Sequence, residues 1–263
     1  MDILFCYKLS PDSEDVKGLP NGDITYEKAK WIVGDYDLSA AEAAVSLAKT
    51  CDATVKGLSV GNEELKNSRT RKGVLARGCD ELVLLQDASL EQLDSHQTAA
   101  LLAKMVQTLE GYDLVVCGEG SSDEYARQVG LQLGEMLGVP TTNAVSKLVG
   151  IEDGKLVAER TVGNAVHTLE IPLPAVVSVT SDIFEPCIPS MRDILDAGKK
   201  PVTELSLADI GEVPAASTVL ELRAPKEKDR KRIVIEGSAE EIATEFVNAL
   251  ERDGLLEGGF ANV

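Results

Sequence analysis

Strand-length apolar runs alternate with helix-period segments through the first half of this chain, and few folds accommodate that rhythm. The alternation predicts a parallel sheet flanked by helices, because consecutive parallel strands need a crossover long enough to hold a helix. Four such units can be read. "DILFCYK" (2–8) is a first strand. After a polar excursion, "SAAEAAVSLAK" (39–49) makes an alanine-rich helix with Ser39 as its cap. "ATVKGLSV" (53–60) is a second strand, and "EELKNSRTRKGVLARG" (63–78) a helix closed by Gly78 in a left-handed cap. "DELVLLQD" (80–87) and "HQTAALLAKMVQTLEG" (96–111) repeat the pair, with Gly111 as the stop. "YDLVVCG" (112–118) is apolar enough to be a central strand, buried on both faces.

After Pro140 the period changes. "NAVSKLVGIEDGKLVAERTVGNAVHTLEIPLPAVVSV" alternates in strand fashion, and Asp153-Gly154 is a hairpin turn, so an antiparallel ribbon should fold back on the main sheet. From residue 181 the chain is richer in turns, and Pro186, Pro189 and Pro201 bracket one short helix that includes Met191 to Leu195. "STVLELRAPKEKDRKRIVIEG" and the amphipathic "SAEEIATEFVNALERDG" read as a C-terminal arm, followed by a glycine-rich tail.

Charge narrows the partners. With 44 acids against 26 bases, a net charge of −18 repels phosphate backbones and anionic membranes, which argues against nucleic acid. Apolar stretches fall short of the roughly 20 residues a membrane helix needs. The N-terminal "MDILFCYKLSPDSED" lacks the basic start and apolar stretch of a secretory signal, so a cytoplasmic address is expected. Five widely spaced cysteines (Cys6, Cys51, Cys79, Cys117, Cys187) fit free, mostly buried thiols. The two histidines, His96 and His167, have no neighbours at metal-ligand spacing, so no metal centre is expected.

The loop after the fourth strand, "GEGSSDEYARQVG" (118–130), is the best candidate for a ligand. Open α/β sheets bind beyond the carboxyl ends of their strands, where helix N-termini present free amides. Gly118 and Gly120 permit a close turn, and Ser121 and Ser122 precede Asp123 at an expected helix start. An ordinary strand-to-helix connection capped by serine reads the same residues equally well. The loop matches neither the dinucleotide fingerprint nor a Walker loop. Asp35 and Asp37 precede a helix, where negative charge suits the macrodipole, and capping is the preferred account of Asp37. Gly34 and Tyr36 could edge a ligand. The basic run Lys226 to Lys231 contains two acids and reads as a solvated face, His167 as a structural side chain. No nucleophile elbow marks a hydrolase.

The assembled motifs resemble the beta subunit of electron transfer flavoprotein, and within it the FixA-type branch. "YDLSAAEAA", "LSVG", "CGEGSSDEYARQVG", "GEMLGVP", "LPAVVSV", "EPCIPSMRDILDAGKKP" and "RIVIEG" match in order and spacing, from Asp2 to about Asp253. The resemblance implies an adenine nucleotide-binding, Rossmann-like α/β domain over 1–200, with a recognition loop at about 183–198, and an arm over 201–263 contacting an alpha subunit. The work implied is that of an electron carrier subunit without catalytic residues of its own, acting with a FixB-like alpha subunit that carries the main FAD. This chain would hold AMP or a second FAD. By position, that pocket comprises Cys6, Gly34, Asp35, Tyr36, Asp37, Val60, Gly118, Glu119, Gly120, Ser121, Ser122, Asp123, Glu124, Tyr125, Ala126, Arg127, Gln128 and Val129. Met191 would be the apolar anchor of the recognition loop. Redox partners of the implied kind are an acyl-CoA dehydrogenase, a quinone oxidoreductase or a ferredoxin-like protein.

Two departures separate the chain from the bifurcating members: Tyr125-Ala126 stands in place of Asp-Thr, and Cys187 in place of Arg. Both remove donors that a flavin pyrophosphate would use, which leaves AMP against a second FAD, and the splitting of electrons, open. Two other classes compete. One is a stand-alone adenine nucleotide-binding protein of the stress-protein or ATP-pyrophosphatase kind, although "CYKLSPDSED" offers no glycine-serine cradle after the first strand. The other is a scaffold with an empty pocket.

Overall fold

The computed structural model describes residues 1–225 and 231–256. It divides into two compact units, Met1–Ala224 and Pro225–Val263. In the first unit a central strand β1 (Asp2–Cys6) is followed by two small antiparallel ribbons, β2 (Leu9–Pro11) with β5 (Trp31–Val33), and β3 (Lys17–Gly18) with β4 (Ile24–Thr25). Helix α1 (Asp35–Cys51), β6 (Thr54–Gly61), α2 (Ser68–Leu75), β7 (Glu81–Gln86), α3 (Ser95–Thr108), β8 (Leu114–Gly118) and α4 (Val129–Leu137) continue the alternation. Then come β9 (Thr141–Glu152), β10 (Lys155–Val162), β11 (Ala165–Pro172), β12 (Ala175–Val179), α5 (Met191–Ala197), β13 (Val202–Leu205) and α6 (Leu207–Ile210).

One sheet of nine strands results, in the order β11-β10-β9-β12-β8-β1-β6-β7-β13. The strands from β9 to β13 in that order run parallel, and β9, β10 and β11 form the expected antiparallel ribbon at one edge. Asp153 (φ 47°) and Gly154 (φ 74°) make its first turn, with both residues left-handed as a two-residue hairpin of this twist requires. The last strand of that stretch departs from the ribbon: β12, fully apolar but for Ser178, pairs in parallel between β9 and β8 because burial on both faces suits it.

Each sheet face has its own core. Ile3, Phe5, Leu82, Leu84 and Val116 meet the alanines of α1 and Val74 and Leu75 of α2, whereas Leu4, Val83, Val115 and Val176 meet α3 and α4. Small residues set the spacing. A Cβ at Gly57 would come within 2.8 Å of the Phe5 ring, so glycine there makes room for that buried side chain.

Several local expectations change. Helix α1 starts at Asp35 behind Gly34, and Ser39 lies inside it, fully buried, donating its hydroxyl to Ser181 O at 3.0 Å. The helix expected over 63–78 breaks at Asn67, whose side chain accepts from Arg69 N and restarts the helix after a 3-10 turn (Glu63–Lys66). A cap inside a periodic stretch overrides the period. Residues 121–128 contain no helix; α4 begins at Val129. His167 lies exposed on edge strand β11. The arm expected from 201 begins with β13, which pairs with β7 in the main sheet.

Asp94 joins the start of α3 to the segment that follows α6. One oxygen accepts from Gln97 N at 2.7 Å in a capping box, and the other accepts from the amides of Ala216 and Ser217, both at 2.8 Å. Asp94→Ala should cost about 1–2 kcal/mol through the lost cap alone. Hydrogen exchange at Ala216 and Ser217 should accelerate in the same variant, and unchanged exchange there would refute the tie.

The second unit contains α7 (Ala239–Arg252), opened by a Ser238–Glu241 capping box. Lys231 donates to both Asp253 oxygens at 2.6 and 2.8 Å. Ile242, Phe246 and Val247 share one exposed face, and no residue of α7 is buried. The run 226–230 and the tail from 257, which carries the expected glycines, lie outside the described residues. Among the described residues no helix is long and apolar enough to cross a membrane.

Candidate functional site

The chain leaves β1 toward β6 and β7 on one side and returns to β8 on the other. Such a reversal of direction splays the loops at the carboxyl ends of the two middle strands and opens a crevice. Here it lies beyond Cys6 of β1 and Cys117 of β8, and it holds about 90 Å³.

Phe5 pairs with Val116, so the next residues, Cys6 and Cys117, stand side by side at the floor. Both are buried. The hydrogen bond that the Cys6 thiol donates to Cys117, then burial, push the Cys6 thiol well above its ordinary value. The floor is therefore two buried sulfurs, polarisable and weakly polar, against which a flat ring can pack. Leu102, Thr98 and Ser95 of α3 form one wall.

Glycine allows the opposite wall to close. A Cβ at Gly118 would lie 2.7 Å from Asp37 Oδ1 and 2.9 Å from the Tyr36 carbonyl carbon, so the end of β8 touches the first turn of α1. A Cβ at Gly34 would lie 2.5 Å from Ser122 Oγ. Asp37 is buried, and its Oδ2 accepts from Lys8 N at 2.7 Å. It is thus an acceptor for the strand end rather than a helix cap. Burial pushes its carboxyl up to about 7, against the Lys8 amide and ammonium, with Asp123 adding to the rise.

Loop 119–128 closes the mouth. Tyr125 (φ 47°) and Arg127 (φ 58°) are left-handed, a conformation that costs roughly 1–2 kcal/mol per residue outside glycine. Side-chain contacts hold them there. The Tyr125 ring covers Gly120 and lies 5.2 Å from that of Tyr36. Tyr125 donates its hydroxyl to Glu119 Oε1 at 3.1 Å, and Arg127 donates to Glu119 Oε2 at 3.2 Å while stacked over the Tyr125 ring. Lys8 Nζ reaches Asp123 Oδ2 at 2.6 Å. Burial opposes that charge, but the Lys8 ammonium and the Ser121 and Glu124 donors hold the Asp123 carboxyl below its ordinary value.

Helix α4 then starts at Val129, which lines the crevice. Its first amides have no partners within the helix and carry partial positive charge. Gly130 lets that start press on β12, since a Cβ there would come 2.1 Å from Ser178 Oγ. A wider groove of about 610 Å³ adjoins the crevice. Ser95 and Gln128 border both, joined by a 2.7 Å hydrogen bond from Ser95 Oγ.

Of the residues expected at a ligand, Cys6, Asp37, Gly118, Glu119, Gly120, Ser121, Glu124, Ala126, Arg127, Gln128 and Val129 line the crevice. Gly34, Tyr36, Ser122, Asp123 and Tyr125 stand behind it, in contact with those that do. Val60 lies in the β6 core and Asp35 is exposed; neither lines the crevice. Lys8, Ser95 and Thr98 line it without having been expected. Lys8 had a legible signal, two residues past Cys6 at a strand end, whereas Ser95 and Thr98 arrive only through the packing of α3. Among the described residues no group of His, Cys, Asp or Glu could hold a metal.

The electron transfer flavoprotein domain family matches this chain over residues 23–210. That span contains α1, β6 to β13 and the whole of loop 119–128.

Proposed function

This chain belongs to the electron transfer flavoprotein domain family, and from that premise we propose that it is the beta-type subunit, of the FixA branch, of a heterodimeric electron carrier. Family membership implies association with a flavin, whose isoalloxazine supplies reversible electron transfer when bound. In this reading the main FAD lies on a FixB-like alpha subunit, and the crevice between β1 and β8 holds an adenine nucleotide, AMP or a second FAD. One observation carries the assignment: buried thiols at the floor, free helix amides at the mouth, and glycines at 34 and 118 that draw two loops together, all at the switch point. At about 90 Å³ the crevice is smaller than the roughly 300 Å³ of an ordinary ligand pocket. Loop 119–128 must give way for a nucleotide to enter.

The residues position rather than react. Cys6 and Cys117 would support the adenine, Asp37 would present its Oδ1 as an acceptor, and α4 would direct its amides at a phosphate. Mass spectrometry of nucleotide released from the co-purified heterodimer tests this directly. AMP or FAD is expected, with one flavin per heterodimer for simple transfer and two for bifurcation; ATP, or no nucleotide, would retire the reading.

The partner-binding half rests on α5. Ser190 and Asp193 form its capping box, Arg77 donates to Cys187 O at 2.6 Å, and Cys187 N donates to Glu42 at 3.2 Å, so the loop is pinned to the domain. Its apolar side chains nevertheless face outward: Ile188 is 89%, Met191 74% and Leu195 70% exposed. A pinned loop with outward apolar groups suits docking. Met191→Ala should slow electron delivery to an acyl-CoA dehydrogenase, quinone oxidoreductase or ferredoxin-like partner by roughly ten-fold, leaving nucleotide content intact. Stopped-flow flavin reduction would show it, and an unchanged rate would remove the anchor role.

A further inference from the structure

The crevice is oddly charged for a phosphate. Its lining carries Asp37, Glu119 and Glu124 against two cations, Lys8 and Arg127. Both cations are already engaged by carboxylates of the same loop: Lys8 by Asp123 at 2.6 Å, Arg127 by Glu119 at 3.2 Å. A phosphate entering this arrangement faces three carboxyl groups and finds both lining cations already paired, and the amides at the start of α4 supply only partial charges. One cation must change partner.

The two ion pairs are not equally free to do so. Arg127 is stacked on Tyr125, and Tyr125 donates to the same Glu119 that Arg127 contacts, so that pair is locked by a third side chain. Lys8 holds Asp123 by a single contact at the end of a flexible stem, with its side chain 41% exposed. Exchange at Lys8 therefore costs one ion pair and gains one, without disturbing the strained backbone at Tyr125 and Arg127.

Resting on the nucleotide reading above, we infer that Lys8 is the residue that binds the ligand's phosphate, and that Asp123, from behind the crevice, holds the Lys8 ammonium until the ligand arrives. The loop thereby carries its own competitor, which lowers affinity for phosphorylated ligands only. Adenosine, which lacks the charge, is the control.

Titration calorimetry on the full chain, stripped of nucleotide, separates the outcomes. Asp123→Asn should tighten AMP binding by roughly ten-fold and leave adenosine unchanged. Lys8→Met should weaken AMP by a similar factor, again sparing adenosine, and in the double variant the gain from Asp123→Asn should vanish. If Asp123→Asn weakens AMP or leaves it unchanged, Asp123 is a latch rather than a competitor and the inference is overturned. Should that variant not fold, Lys8→Met decides alone: AMP affinity equal to the parent chain's refutes the role of Lys8. A parent chain binding neither AMP nor adenosine would instead retire the nucleotide reading itself.

Discussion

Replacing Asp37 by asparagine should make the protein more stable than its parent above pH 7, and the advantage should shrink as the pH is lowered toward 4. Burial holds the Asp37 carboxyl at about 7, against 3.8 in an unfolded chain. Between those values the folded state keeps a proton that the unfolded state has released, so stability falls as pH rises through the window. Each pH unit of separation is worth about 1.4 kcal/mol, which makes the full span up to about 4 kcal/mol. Asparagine abolishes the titration but keeps an amide oxygen to accept from Lys8 N, the one side-chain hydrogen bond of Asp37 among the described residues. Urea denaturation of both proteins at pH 4.5 and pH 8 measures the difference. Parallel stability curves would mean that Asp37 is hydrated in the folded chain and not pressed against Gly118.

Gly118→Ala is the second large effect expected, about 1–3 kcal/mol of destabilisation together with loss of nucleotide. Its added methyl would meet the Tyr36 backbone at 2.9 Å and Asp37 Oδ1 at 2.7 Å. Backbone cannot yield as a side-chain tip can, so the first turn of α1 must move away from β8 and widen the crevice. Gly73→Ala provides the contrast. Gly73 lies within α2 with nothing near its Cβ position, and alanine there should stabilise by roughly 0.5–1 kcal/mol. Urea midpoints of the two variants should move in opposite senses, and nucleotide content should fall only in Gly118→Ala. A neutral Gly118→Ala would show that the β8–α1 approach does not shape the site.

Much of the fold was legible because its signals are local. The alternation of period-2 and period-3.6 segments placed β1, α1, β6, β7, α3 and β8, but not the small ribbons β2 to β5; Asp153-Gly154 placed the hairpin, and the spread of the cysteines foretold free thiols, three of them buried. Errors arose where tertiary contacts overrode a local preference. Ser39 has the chemistry of a cap but is buried in α1, where Ser181 O accepts its hydrogen bond. Ser121 and Ser122 look like a helix start, yet the aromatic pair Tyr36–Tyr125 and the Glu119–Arg127 pair hold that stretch in an irregular loop.

The linear sequence determined the alternation, the turn residues and the small side chains that permit close approach, since each acts through the conformations open to its own few neighbours. Only the tertiary structure decided which of these meet: Cys6 beside Cys117, Gly34 against Ser122, and Lys8 between Asp37 and Asp123. Those meetings depend on strand order, and strand order is set by burying two faces of one sheet at once, a condition that no local stretch of the chain can express.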